Sequence, residues 1–113
     1  MTAFKLVFFC PRADTRTVLD ALFATLPQAL GRIGNYHHCA FIIEGTGQFI
    51  PGEGANPVVG DVGVLELVNE HRVEIRVQDR SEERAELRKV VEELKKVHPY
   101  EEVAYDIYRL EDL

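Results

Sequence analysis

Residues 4–10 (FKLVFFC) carry apolar side chains at both parities, with Phe4, Leu6, Phe8 and Cys10 on one face and Val7 and Phe9 on the other. Successive side chains alternate across a strand, so a run that is apolar on both faces belongs in the middle of a sheet with both faces at least partly covered. The rest of the chain has to be arranged around that strand. Pro11 ends it. Asp14 or Thr15 can then cap a helix whose apolar positions Val18, Leu19, Leu22 and Leu26 keep helical spacing, and Pro27 limits its far end.

Residues 28–36 contain Gly31 and Gly34 and form a connection, and residues 39–44 (CAFIIE) form a second strand. A third strand runs over 65–77, where Val73, Ile75 and Val77 alternate with Arg72, Glu74 and Arg76, the pattern of a sheet with one face on a core. Ser81 caps a second helix, Glu82 and Glu83 suit the positive end of its dipole, and Leu87, Val90, Val91 and Leu94 make its buried stripe. That helix stops at Val97, because Pro99 disfavours helical geometry at His98. Residues 103–110 (VAYDIYRL) supply the last strand. The order βαββαβ predicts an α+β, ferredoxin-like fold: an antiparallel sheet with two helices packed on one face.

A length of 113 residues suits a single domain over 1–113, and 46% hydrophobic with 28% charged residues is ordinary for a globular chain. The formal net charge of -6 argues against a phosphate-backbone binder, which needs a basic face, so no nucleic-acid partner is expected. No apolar run approaches the ~20 residues that span a bilayer, and residues 1–5 show no leader pattern. A cytoplasmic protein with no membrane partner is the expectation. Two cysteines, Cys10 and Cys39, are too few for a disulfide framework and are expected to be reduced thiols.

If Leu6, Phe8, Tyr105 and Ile107 point towards the helices, then Val7, Phe9, Ala104 and Tyr108 fall on the opposite face. The first and last strands are neighbours in this topology, so these residues would form an apolar patch, which usually marks an interface. A homo-oligomer built through that face is expected.

Three motifs stand out together: GRIGNYHHCAF (31–41), EGTGQFIPGEGANPVVGDVG (44–63) and HPYEEVAYDIYRL (98–110). They resemble the small inserted domain of the NGG-interacting-factor-three-like (YqfO-like) proteins, here standing alone, over nearly the whole chain. The His-Pro-Tyr-Glu run is also similar to the copper-tolerance CutA proteins, which share their fold with the PII signalling proteins. The resemblance implies a PII/CutA-like module that assembles as a trimer. It also implies that the two-metal centre of the full-length family belongs to a larger domain that this sequence lacks, so that no catalytic activity of its own is expected here.

The segment 45–63 holds six of the eight glycines and two of the five prolines, and little regular structure is expected there beyond short strand extensions around 48–50. It falls where PII proteins carry a mobile loop, and Gly45, Thr46, Gly47, Gln48, Glu53, Gly54 and Asn56 are the candidate binding residues. From Ile33 to His71 there is no lysine or arginine, whereas Glu44, Glu53, Asp61, Glu66 and Glu70 are acidic. This charge favours a cation or a protein surface over a free nucleotide. A divalent metal, zinc or copper, is the alternative ligand, with His38, Cys39, His98 and Glu101 as candidate ligands. Strand direction puts His38 and Cys39 at the other end of the sheet from His98, so a shared metal would need a subunit contact. Tyr100, Glu101, Tyr105 and Asp106 suggest a polar network beside the last strand, with tyrosine hydroxyls satisfied at an oligomer junction.

Overall fold

The computed structural model describes residues 1–113. Strand β1 (Thr2–Pro11) leads through a 3-10 turn (Arg12–Asp14) into helix α1 (Thr15–Thr25); β2 (Phe41–Phe49), β3 (Glu66–Asp79), α2 (Ala85–Val97) and β4 (Tyr105–Arg109) follow. The sheet order is β2-β3-β1-β4, and every pairing is antiparallel. This is the expected βαββαβ arrangement, with β1 at the centre between β3 and β4.

Register explains the core. Phe4, Leu6 and Phe8 of β1 lie opposite Val77, Ile75 and Val73 of β3. All six are buried together with Val18, Leu19 and Leu22 of α1 and Leu87, Val90 and Leu94 of α2. Each such apolar side chain stabilises the fold by about 1.5–3 kcal/mol relative to exposure. Gly31 closes the core beside α1 in a left-handed conformation (φ +71°), where a Cβ would stand 2.5 Å from Phe23 Cε1. Only glycine fits there without displacement.

The start of α2 uses more than the expected cap. The Ser81 hydroxyl does accept the Ala85 N–H (2.7 Å), but the buried carboxylate of Asp79 organises the turn, accepting from Ser81 N (2.8 Å), Ser81 Oγ (2.7 Å) and Leu87 N (2.9 Å). Burial alone would raise its pKa, yet these hydrogen bonds outweigh desolvation and hold it below the usual carboxylate value.

One expectation requires correction and another is met in part. The second strand does not end at Glu44: β2 continues unbroken through Gly45, Thr46, Gly47 and Gln48 to Phe49. Beyond the end of β1 at Glu70, β2 and β3 stay paired to Phe49↔Glu66, so a two-stranded ribbon projects from the sheet. The molecule is correspondingly long, 45 × 27 × 26 Å.

The face opposite the helices is as expected in part: Ala104 and Tyr108 are exposed on it and Phe9 is half-buried, whereas Val7 is covered. Val7 is fully buried there, because Glu74 lies directly across from it and is bonded by both Lys5 Nζ (3.3 Å) and Arg72 Nε (3.1 Å). Arg72 also lies over the Phe9 ring, 5.7 Å from its centroid. The long charged side chains thus lay their apolar stems over the central strand. Further exposed large apolar side chains sit on β2, the ribbon and its loop, among them Phe41, Ile50, Val58 and Leu67.

Candidate functional site

The glycine-rich segment divides into a ribbon arm and a loop. Residues 50–65 leave the ribbon at a buried Pro51, make turns at Gly52–Ala55 and Asp61–Val64, and close at their base through Gly63 N–H to Pro51 O (2.8 Å). The loop then folds back on the segment that follows α2. Asn56 N–H donates to Glu101 Oε1 (2.9 Å), and Phe49 meets Tyr100 edge to face with centroids 6.0 Å apart. Proline and glycine at these turns supply the geometry that the fold-back needs.

Between the loop, the ribbon and the 98–104 segment lies a cleft of about 390 Å³. Its apolar walls include Phe9, Phe49, Pro51 and Val58, its polar groups include Glu70, Tyr100, Glu101 and Glu102, and no lysine, arginine or histidine lines it. Such a volume is at the lower end of small-molecule sites, roughly 300–1,000 Å³. The Glu70 carboxylate is held across Gly47 so closely that a Cβ at that position would collide with it. Gly47 is therefore the residue that lets a carboxylate lie over the ribbon.

The phenol oxygen of Tyr100 is buried without a hydrogen-bond partner. Desolvation first, and the neighbouring Glu70 charge second, push its pKa up to about 12. The two groups face each other without closing a well-formed hydrogen bond, and buried polar atoms left in that state are uncommon.

His98 holds two of the cleft's lining residues, Phe9 and Tyr100, through their backbone. Its Nε2–H donates to Phe9 O (2.7 Å) and its Nδ1 accepts from Tyr100 N–H (3.0 Å), so both ring nitrogens are occupied by backbone and the neutral tautomer is fixed. Desolvation lowers its pKa. Of the four residues considered for metal, His98 and Glu101 are thus engaged in holding the segment after α2.

His38 and Cys39 lie at the far end. His38 is exposed, takes a left-handed conformation (φ 60°) and lies against Phe23 (centroids 4.4 Å apart), with its Nδ1 2.8 Å from His37 Nδ1. Cys39 bonds through its N–H to Gly31 O (2.9 Å), and Gly31 bonds to Arg76 O. Arg76 pairs with Lys5, four residues along β1 from Phe9, which is about 13 Å at strand rise. The antiparallel topology keeps the two pairs apart within one chain. No three His, Cys, Asp or Glu side chains converge on a point that could hold a metal ion.

One further cluster was not anticipated. Cys10 Sγ contacts Thr15 Oγ1 (3.1 Å), Thr15 Oγ1 contacts His71 Nδ1 (2.7 Å), and Glu44 approaches His71 Nε2 (3.8 Å) and Arg12 Nη1 (3.5 Å). Alternation along β3 places His71 on the face of Val73, towards the helices, which is the signal that could have found it. Cys10 and Thr15 are buried, and burial pushes the Cys10 thiol up, away from the reactive thiolate. The cluster ties α1 to the sheet.

No family model matches the sequence. Among curated proteins, the chain is 47% identical over 107 residues to the GTP cyclohydrolase 1 type 2 homolog of Bacillus subtilis, covering 95% of this chain and 26% of that protein. The homologs of Halalkalibacterium halodurans and Mycobacterium tuberculosis are 44% and 42% identical, with 27% and 26% of their length covered. The chain therefore spans about a quarter of the curated relatives that it matches. Among solved structures, a Bacillus cereus protein related to NIF3 is 40% identical, with a TM-score of 0.76 over 98% of this chain and 26% of that one. The divalent ion tolerance protein CutA1 of Ehrlichia chaffeensis shares the fold alone, at 13% identity and a TM-score of 0.63 over 98% of this chain and 83% of that one. Along nearly its whole length, the chain is homologous to one segment of the GTP cyclohydrolase 1 type 2 homologs and NIF3-related proteins, and it has the PII/CutA-like form of the ferredoxin-like fold.

Proposed function

We propose that this chain is a small, cytoplasmic, homo-oligomeric binding and regulatory module of the PII/CutA-like kind, a trimer, in which the ribbon, its loop and the cleft beneath them form the contact element. The observation that carries this reading is the ribbon itself. It projects beyond the packed sheet, its outer strand β2 has an unpaired edge, and Leu67 on its inner strand β3 is 60% exposed. Unpaired edges and exposed apolar side chains on one projecting element are the physical requirements of a surface that associates.

The chemistry of the cleft agrees with binding rather than catalysis. His98 has no free nitrogen with which to move a proton, and the buried Cys10 is held in its thiol form. The cyclohydrolase name belongs to proteins of which this chain spans about a quarter, and the module is proposed to have no catalytic activity of its own. With acidic and no basic lining, the cleft suits a cation or a protein surface better than a free nucleotide. Native mass spectrometry at micromolar concentration tests the assembly. A trimer is expected, and a strict monomer overturns the oligomeric reading.

A further inference from the structure

We infer that the cleft under the loop is a site for a small organic cation: a protonated amine on a short apolar body, its charge against Glu70 and its body between Phe9, Phe49 and Val58. This rests on the reading of the cleft as a contact element and adds the chemical class of what it takes.

Three observations converge. Glu70 makes no ion pair within the chain and meets only the Tyr100 hydroxyl, whereas the nearest carboxylates on the same strands are neutralised by bases: Glu74 by Lys5 and Arg72, and Glu44 by Arg12. Arg72 shares a neighbouring groove with Glu70 but is directed to Glu74 and stacked over Phe9, so it does not neutralise Glu70. The half-buried carboxylate is therefore a negative charge with no base against it, lying over Gly47 at the wall of the cleft. Second, the Tyr100 hydroxyl beside it is buried and unpartnered, and an ammonium N–H is a donor that its oxygen can accept. Third, the walls are apolar and aromatic, which suits a cation carrying a hydrophobic body rather than a bare, strongly hydrated metal ion. An anion would meet Glu70, Glu101 and Glu102 with no compensating base, which is a repulsive selection against it.

The test uses the whole chain, 15N-labelled, and three probes of one shape: phenethylamine, the neutral 2-phenylethanol and the anionic 3-phenylpropionate, each followed by amide shifts up to about 10 mM. Phenethylamine is expected to move the Gly47, Asn56 and Glu101 amides and to bind about tenfold more tightly than the alcohol, with the carboxylate silent. Glu70→Gln should remove that preference, whereas Glu92→Gln, on the exposed face of α2, should leave it intact. Equal binding of amine and alcohol, or an amine preference that survives Glu70→Gln, overturns the cation inference and leaves the cleft as an apolar contact element. If none of the three probes moves those amides, the cation inference and the small-molecule reading of the cleft both fall, while the oligomeric reading is decided separately by mass. Should Glu70→Gln misfold, the comparison of the three probes on the unaltered chain still decides.

Discussion

The two halves of β3 are one continuous strand in different surroundings. From Val73 to Asp79 every second side chain is buried against α1, α2 and β1, whereas from Glu66 to Asn69 no residue is buried and only β2 lies alongside. Both halves are built from similar residue types, with Leu67 and Val68 in the exposed half as apolar as Val73 and Ile75 in the buried one. What separates them is not strand propensity but whether other elements cover the strand. The buried half carries stability, and the exposed half is left available for contact.

The largest effect that this contrast predicts is on folding. Ile75→Ala removes a side chain that is 2% exposed and should lower the free energy of unfolding by about 2–5 kcal/mol, measured by urea denaturation. If Ile75→Ala costs no more than a ribbon substitution, the division of β3 is wrong.

Next in size is Asp79, at the end of the buried half. Asp79→Ala leaves the Leu87 N–H without a partner inside the fold and should cost about 2 kcal/mol or more. Because the folded carboxyl has a depressed pKa, its contribution is fully present above the unfolded value of about 3.9 and is lost as pH falls through the folded one. The stability gap between the parent chain and Asp79→Ala should accordingly stay constant from pH 7 to about pH 5 and close below about pH 4. A gap that is independent of pH would mean that the charge of Asp79 is not what holds the start of α2.

His98 stands between the two regimes, buried itself yet bonded to the backbone of Phe9 and Tyr100, which line the cleft. Its folded pKa is lowered, chiefly by desolvation, so its contribution is full above the unfolded value of about 6.5 and declines as pH falls below that. His98→Ala should cost about 1–2 kcal/mol at pH 7.5 through the lost bonds to Phe9 and Tyr100, and the cost should shrink towards pH 5. Urea midpoints at the two pH values distinguish this from a metal ligand, for which adding or chelating zinc would move the midpoint of the parent chain and not that of the variant.

The buried half of the molecule was legible in the sequence because its signals are local. The alternation of residues 73–77 and the helical spacing of Val18, Leu19 and Leu22 each follow from neighbours within a few positions, and the pairing of β1 with β4 follows from chain order. The ribbon was not legible. Gly45 and Gly47 weaken a strand by their composition, and the reason that glycine is tolerated at 47 lies in the Glu70 side chain on the opposite strand. His98 is similar: the bond that takes up its Nε2 goes to Phe9, 89 residues away. Glu70 was one acid among five in a stretch without bases, and nothing in its neighbours marks it as the one of the five that lines the cleft. The burial of Val7 under Glu74, Lys5 and Arg72 needed the register of two strands, which alternation alone does not supply.

The smallest effect on stability should come from the exposed half of β3, and it is the sharpest test of the comparison. Leu67 is 60% exposed, so Leu67→Ser removes little buried area and should change the unfolding free energy of the isolated chain by within about 0.5 kcal/mol. On a surface that associates, the same substitution should act on assembly, since apolar side chains at the centre of an interface commonly cost more than about 1 kcal/mol when truncated. Ile75→Ala and Leu67→Ser should therefore separate in opposite directions: the first lowers the urea midpoint, and the second shifts the oligomer towards monomer on dilution, read by native mass spectrometry. A Leu67→Ser chain that keeps its subunit number at nanomolar concentration would place the contact elsewhere on the molecule, and the exposed apolar surface around Phe41 on β2 would be the next position to alter. One strand would then still serve two purposes, but the boundary between them would follow the edge of the sheet rather than the end of β1.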